Sequence, residues 1–409
     1  MSLTESSRIT PALSSRLLFL FAVICAFAVA NVYMTQPLLD QIAQDLQAQP
    51  ADMGWIITAT QMGYGLGLLF LVPSGDTLNR KTLVATMLLA SAVLLAIASQ
   101  ATSLTGLSLI LGLVGLLAVV VQIVVAYTAS LTSAQRRGEA TGVVTSGVVL
   151  GILLARVVAG LVGEWSSWRT VLLLSALAML LMALLFIRLA PPEPTRATRP
   201  RYGALMFSLF HLWRDLPLLR VRGVLALLIF MDFSLLWTSL VFPLSGAPHH
   251  LTPGQIGLFG LAGIAGALAA RRAGLLADRG QGQRVTGGAL LLLLLSWAIM
   301  AGGGSSLFIL TLGIILLDFA VQAVHVTSQS LIFAQRPQAT SRLVAVYMAF
   351  YSLGSASGAW LATHLWAWAG WPAVSTAGAI ISGLALVYWA LSARYAGPYS
   401  HRTDSPSDA

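Results

Sequence analysis

Residues 316–330 read LLDFAVQAVHVTSQS and sit inside a long apolar run. Asp318, Gln322, His325 and Gln329 follow one another at spacings of four, three and four residues. At about 100° of helix per residue, these side chains share a sector roughly 60° wide. They extend over about 16 Å, roughly half of a bilayer's hydrocarbon thickness. A polar stripe of that length cannot face lipid, where each unsatisfied polar group costs several kcal/mol. It must face other helices or a watery cavity. One reading is a hydrogen-bond network that holds a bundle together. The other is the lining of a solute path with an ionisable Asp near its middle, since ionisable groups inside membranes are commonly functional.

The rest of the chain has the same character. Hydrophobic residues make up 57% of the 409, charged residues 9%, and the mean hydropathy is +0.84. Such a composition excludes a soluble globular domain and fits a polytopic helical membrane protein. The net charge of +9 does not indicate a nucleic-acid partner. Of the 23 Lys and Arg residues, only Arg156 lies well inside an apolar run; the others fall in loops or at helix ends. The single cysteine, Cys25, excludes an intramolecular disulfide and reads as a small packing residue in the first helix. That first helix, with Ala28 and Ala30 in an A-x-A arrangement, could be a cleaved signal peptide. Retaining it gives an even number of spans, which is the reading adopted.

Twelve apolar runs are legible: 16–37, 51–72, 82–100, 104–129, 140–162, 168–190, 221–244, 254–273, 285–302, 305–333, 342–364 and 371–393. They divide into an N-terminal six-helix bundle (1–190), a linker (191–220), a C-terminal six-helix bundle (221–395) and a tail (396–409). The linker is rich in Pro and Arg, with a short amphipathic helix expected over Phe207 to Trp213 at the membrane surface. Arg80, Lys81, Arg136, Arg137, Arg271, Arg272, Arg279, Arg284, Arg336 and Arg342 all fall in even-numbered connections. Odd connections carry almost no basic residue beyond Arg169. The positive-inside rule then places both termini and the linker in the cytoplasm of a bacterial inner-membrane protein.

The two halves repeat. VVVQ at 119–122 followed by AQR at 134–136 answers FAVQ at 319–322 followed by AQR at 334–336, an offset of 200. Asp76 answers Asp278 at 202, and Trp168 answers Trp371 at 203. Two parallel six-helix repeats form a transporter architecture with the solute site between them.

Motifs at the loops name a family. The stretch GLLADR at 274–279 resembles the start of the cytoplasmic loop motif G-x-L-A-D-R-x-G-R-K of the major facilitator superfamily. VPSGDTLNRK at 72–81 keeps only its Asp76 and the basic pair Arg80 and Lys81. NVYMTQPLLDQIA at 31–43, RRGEATG at 136–142, GILLARVVAG at 151–160 and SRLVAVYM at 341–348 resemble a drug-resistance or arabinose-efflux branch. Two features of drug–proton antiporters are missing. The fourth helix reads LGLVGLLAVVVQ without an Arg, and the fifth has Gly151-Ile152 in place of Gly-Pro.

The resemblance implies an all-α membrane protein of twelve transmembrane helices in two pseudo-symmetric six-helix bundles. In this family the first, fourth, seventh and tenth helices line the cavity, which here assigns Asn31, Gln36, Gln122, Asp232 and the Asp318 stripe to the pathway. Asp76, Arg80, Lys81, Asp278 and Arg279 would form the cytoplasmic gate, although simple topological anchoring explains the basic pair equally well. Asp232 and Asp318 both stand near mid-membrane. Removal from water favours a carboxyl's protonated form, which proton coupling requires; the alternative for either is a permanent ion pair with Arg156. His325 could shuttle protons or simply donate a hydrogen bond.

The expectation is a monomeric secondary transporter of a small organic solute, drug- or sugar-like, working by alternating access with proton-coupled efflux. An uncoupled facilitator or a proton symporter of a sugar or metabolite is the alternative. No cofactor is expected beyond a proton gradient, and the partners are the solute and the lipid bilayer. ATP-driven transport is disfavoured because no G-x-x-x-x-G-K-[ST] loop occurs. The six His and one Cys show no metal-ligand spacing, which argues against a membrane-embedded enzyme. The orientation is testable: a cysteine placed in the 191–220 linker should resist an impermeant maleimide added to intact cells and react once they are lysed. Reaction before lysis would reverse the topology.

Overall fold

In the computed structural model, which describes residues 13–133, 136–193, 201–302, 306–336 and 339–392, except the side chains of Arg271, Asp278 and Ser341, the apolar runs are helices. Eleven helical stretches among these residues are long and apolar enough to cross a membrane. The first six are Ser15–Asp45, Pro50–Thr77, Arg80–Ala98, Leu104–Ser130, Arg137–Trp165 and Trp168–Leu189. Pro217–Ser245, Pro253–Leu276, Arg279–Ala301 and Leu307–Gln335 follow as the seventh to tenth. The last stretch, Arg342–Ser392, holds 51 residues, too many for one crossing. Its helix breaks at Ala369 and at Gly370, where φ is +64°, and Pro372 starts the next helix. Two spans, the eleventh and twelfth, result. The φ of Gly370 lies where a Cβ is strained, so glycine is the residue that allows this turn.

Span ends are set by polar caps. The side chains of Ser14, Asn79, Ser103, Ser167 and Ser306 each accept a hydrogen bond from a backbone N–H in the first turn that follows. Thr252 and Gln255 form a reciprocal capping box with Pro253 at the first helical position. The first span is not continuous. It leaves α geometry after Tyr33, passes through a tight turn at Gln36–Leu38 that contains Pro37, and resumes at Leu39–Asp45.

With twelve crossings, the two ends and the linker share one face, called here the terminal face; the other is the far face. Tyr202–Asp215 of the linker is a helix that buries Leu209 and Leu212 and exposes Phe207, Phe210 and Trp213. It extends the expected amphipathic segment at both ends. The Tyr202 hydroxyl donates to the Phe70 carbonyl of the second span at 2.8 Å. On the far face, Trp165 and Trp368, 203 residues apart, are 81% and 79% exposed.

Glycines decide which helices touch. A Cβ at Gly147 or Gly151 would strike the backbone of Ala22 or Ala26 in the first span. A Cβ at Gly354 or Gly358 would strike the backbone of Leu227 or Met231 in the seventh. The first–fifth and seventh–eleventh contacts are therefore the same packing made twice, as the repeat requires. The halves meet by the same device. Gly257 of the eighth span lies against the Arg156 carbonyl and Gly160 of the fifth, and Gly54 of the second lies against the Ala359 carbonyl and Thr363 of the eleventh. Backbones approach this closely only without side chains between them. Polar contacts reinforce the seam at the far face: Glu164 accepts from the Thr252 hydroxyl (2.9 Å) and the Gly254 N–H (3.1 Å).

Gly257→Leu is expected to cost the far-closed arrangement about 1–3 kcal/mol through overpacking. A cysteine at Gln36 should then become reactive to impermeant maleimide from the far side. Gly288→Leu, at a glycine with open space around it, is the control. Equal reactivity in both variants would show that the seam does not close the far face.

Candidate functional site

Between the halves lies a cavity of about 440 Å³. The tenth span contributes Gln322, His325 and Gln329 to its wall, the fourth contributes Gln122, and the fifth Thr145 and Ile152. Tyr33, Tyr64, Phe230, Phe233 and Tyr351 supply an aromatic surface, and Phe333, Val344 and Met348 carry the lining toward the terminal face. The helical spacing read from 316–330 thus puts three of its four polar residues on one cavity wall. The repeat extends to burial. Residues 121, 123, 124, 127 and 128 are buried with their neighbours partly open, and residues 321, 323, 324, 327 and 328 reproduce the pattern at an offset of 200.

Asp318 belongs to a second layer, nearer the far face. It is 3% exposed, does not line the cavity, and accepts from the Trp237 indole N–H at 3.1 Å. The Arg156 guanidinium lies 3.9 Å from the centroid of that same indole and 5.1 Å from that of Tyr33, close enough for cation–π attraction. Its Nε donates to Gln36 Oε1 at 2.7 Å, at the break in the first span. Arg156 and Asp318 sense each other's charge, but they form no ion pair within 4.0 Å among the described residues. The permanent clamp considered from sequence is absent in this state, and Trp237 stands as the link. Gln36, Arg156, Trp237 and Asp318 form a chain that crosses from one half to the other. Tyr33 and Phe233 separate it from the cavity, and a hydrogen bond between the Tyr33 and Tyr351 hydroxyls joins the halves at that boundary.

Asp232 corrects the expectation for the seventh span. It is fully buried, does not line the cavity, and accepts from the Ser382 hydroxyl of the twelfth span at 2.6 Å. The Trp297 indole also lies beside its carboxyl, without a well-aligned hydrogen bond to Oδ1. The Asp232 side chain points into the C-terminal bundle, where it meets the twelfth span rather than the cavity. Asn31 is likewise buried and outside the cavity lining. His325 Nδ1 lies 3.0 Å from the Tyr347 hydroxyl, and the ring meets Phe230 edge-on at 5.1 Å.

The loop residues separate from the cavity. Arg80 donates to Asp76 Oδ1 (2.8 Å), the Gly75 carbonyl (3.0 Å) and the Ala126 carbonyl (3.3 Å), and its backbone N–H donates to Glu193 (2.7 Å). Lys81 donates to the Ala190 carbonyl. These bonds tie the second, third, fourth and sixth spans of one half together at the terminal face. Arg279 is exposed at that face, while the Asp278 side chain lies outside the described residues.

Several members of the site escaped the sequence reading. Trp237, Tyr33 and Tyr351 are indistinguishable from core aromatics until their partners are known. Arg222, taken as a helix-end residue, is 1% exposed and donates to the Thr286 hydroxyl at 2.8 Å. The signal was its position just inside the seventh apolar run.

Comparisons with known proteins agree with this architecture. A family model described as Major Facilitator Superfamily matches residues 19–335. The uncharacterized transporter YgaY of Escherichia coli O157:H7 is 43% identical over 377 residues, covering 92% of this chain and 95% of that protein. The Streptomyces coelicolor transporter SCO4007 is 33% identical over 366 residues, covering 88% and 84%. Among solved structures, a bacterial homolog of the human lysosomal transporter Spinster superposes with a TM-score of 0.76 at 13% identity, covering 93% of this chain and 97% of that one. The nucleoside transporter NupG gives 0.73 at 15%, covering 94% and 100%. At those identities the likeness is one of fold. Matched over most of its length by the family model and by relatives named as transporters, the chain belongs to the major facilitator superfamily.

Proposed function

We propose that the protein moves a small organic solute across the bacterial inner membrane by alternating access, with both termini cytoplasmic, and couples export to proton entry. The observation that carries this reading is the chain Gln36–Arg156–Trp237–Asp318 across the closed end of the cavity. An ionised Asp318 attracts Arg156 of the opposite half and favours closure of the far face. Neutralising it removes that attraction and eases opening. A solute entering from the terminal face would supply binding energy for the outward change. In the outward state a proton taken up by Asp318 would remove the cost of returning a bare carboxylate to its buried site, and its release toward the terminal face would restore the attraction to Arg156. Only a ligand with different affinities for the two states can shift their balance.

A second reading, uncoupled facilitation or symport, draws on one observation: Asp318 is outside the cavity lining, so a solute can occupy the cavity without touching it. Asp76 and Arg80 take a structural part in either reading, holding one half rigid as it rocks.

Asp318→Asn separates the readings, because the amide keeps the size and hydrogen bonding of the acid but releases no proton. With a solute first found through its stabilisation of the purified protein, uphill transport driven by a pH gradient should fall at least tenfold in proteoliposomes, with downhill exchange retained. Unchanged uphill transport would remove Asp318 from coupling. Loss of binding and folding together, at about 3–5 kcal/mol, would mark it as a structural partner of a buried cation.

A further inference from the structure

The chemistry of the cavity wall narrows the solute further, an inference that rests on the transport reading above. No Asp, Glu, Lys or Arg lines the cavity among the described residues. The charged pair nearest to it, Arg156 and Asp318, carries opposite signs and lies behind Tyr33 and Phe233. An ion entering this space would lose its water with no counter-charge to replace it, which weighs heavily against binding.

What the wall does offer is amide. Gln122 and Gln322 occupy equivalent places in the two repeats, with the same burial on either side, and each lines the cavity from its own half. Gln329 lies two helical turns beyond Gln322 on the same face. The carboxamides of Gln322 and Gln329 have no hydrogen-bond partner among the described residues, although they are cradled by packed helices. Gln122 lies beside the Tyr64 hydroxyl. Each carboxamide presents two donors and one acceptor, so it can pair with any group that donates and accepts along one edge. Phe230, Phe233 and Phe333 add flat apolar surface beside these edges. We infer that the cavity takes an uncharged, planar solute with an amide-like donor–acceptor edge, held between Gln122 of one half and Gln322 of the other. A ligand gripped by one group from each half loses a contact when the halves rock, so recognition and conformational change are joined at the same two residues.

An isosteric trio tests the inference: 2-naphthamide, 2-naphthoate and 2-naphthamidine share one ring and differ in charge. Binding to the purified full-length protein is measured by thermal shift and titration at pH 8, where naphthoate is an anion and naphthamidine a cation. The amide should raise Tm and bind at least tenfold more tightly than either ion. Gln122→Leu and Gln322→Leu, each first checked for an unchanged Tm without probe, should abolish the preference. Gln322→Glu should improve naphthamidine binding at least tenfold, because it places a counter-charge in the wall. Either ion binding the native protein as tightly as the amide overturns the inference, as does failure of all three to bind. Retention of the amide preference in both Leu variants also overturns it. None of these outcomes touches the transport reading, which stands or falls on solute exchange by the wild type and by Asp318→Asn in proteoliposomes.

Discussion

Two helix backbones can lie against each other in a bilayer only where neither places a side chain at the crossing, and this protein uses that condition at every joint that matters. Gly147 and Gly151 seat the fifth span on the first, and Gly354 and Gly358 seat the eleventh on the seventh. The contacts that shut the far face, Gly257 on the Arg156 backbone and Gly54 on the Ala359 carbonyl, are of the same kind. Smooth backbone contact supplies packing without interlocking, so a seam of this type can separate and re-form. Arg156 belongs to both systems: its carbonyl is part of the seam, and its guanidinium joins the polar chain behind it.

That double role explains why the polar residues are layered. The glutamines of the cavity wall face an open space, Gln322 and Gln329 without a hydrogen-bond partner among the described residues and Gln122 beside the Tyr64 hydroxyl. Groups that would sense a proton are packed behind aromatic rings, where Trp237 carries the interaction from Asp318 to Arg156. A carboxylate in direct contact with a guanidinium would make a tighter lock. An indole between them makes a weaker one, which suits the proton-coupled cycle proposed above.

Much of this was legible before any coordinates. Twelve crossings follow from apolar length, although the turn that separates the eleventh from the twelfth, at Ala369 and Gly370, is very short. The stripe at Gln322, His325 and Gln329 could be oriented because a single polar sector in an apolar helix has only one place to go. Asp232 could not. The seventh span is the most enclosed of all, with 78% of its most apolar window buried, so it carries no lipid face from which to judge direction. Depth can be read from position in a run, but azimuth needs a contrast between faces. The same lack hid Arg222 and the part taken by Trp237, whose neighbours are buried whichever way they point.

Trp165 and Trp368 end equivalent spans of the two halves and leave their indoles almost uncovered at the far face. An indole settles where hydrocarbon gives way to headgroups, with its N–H in the wet layer and its ring in the dry one. One such ring near the far end of each half resists displacement of that half along the membrane normal. Sliding one half along the membrane normal would drag an indole out of its layer, while tilting about an axis near that layer moves it hardly at all. For the alternating access proposed above, a rocking of the two halves would disturb those rings less than a slide would.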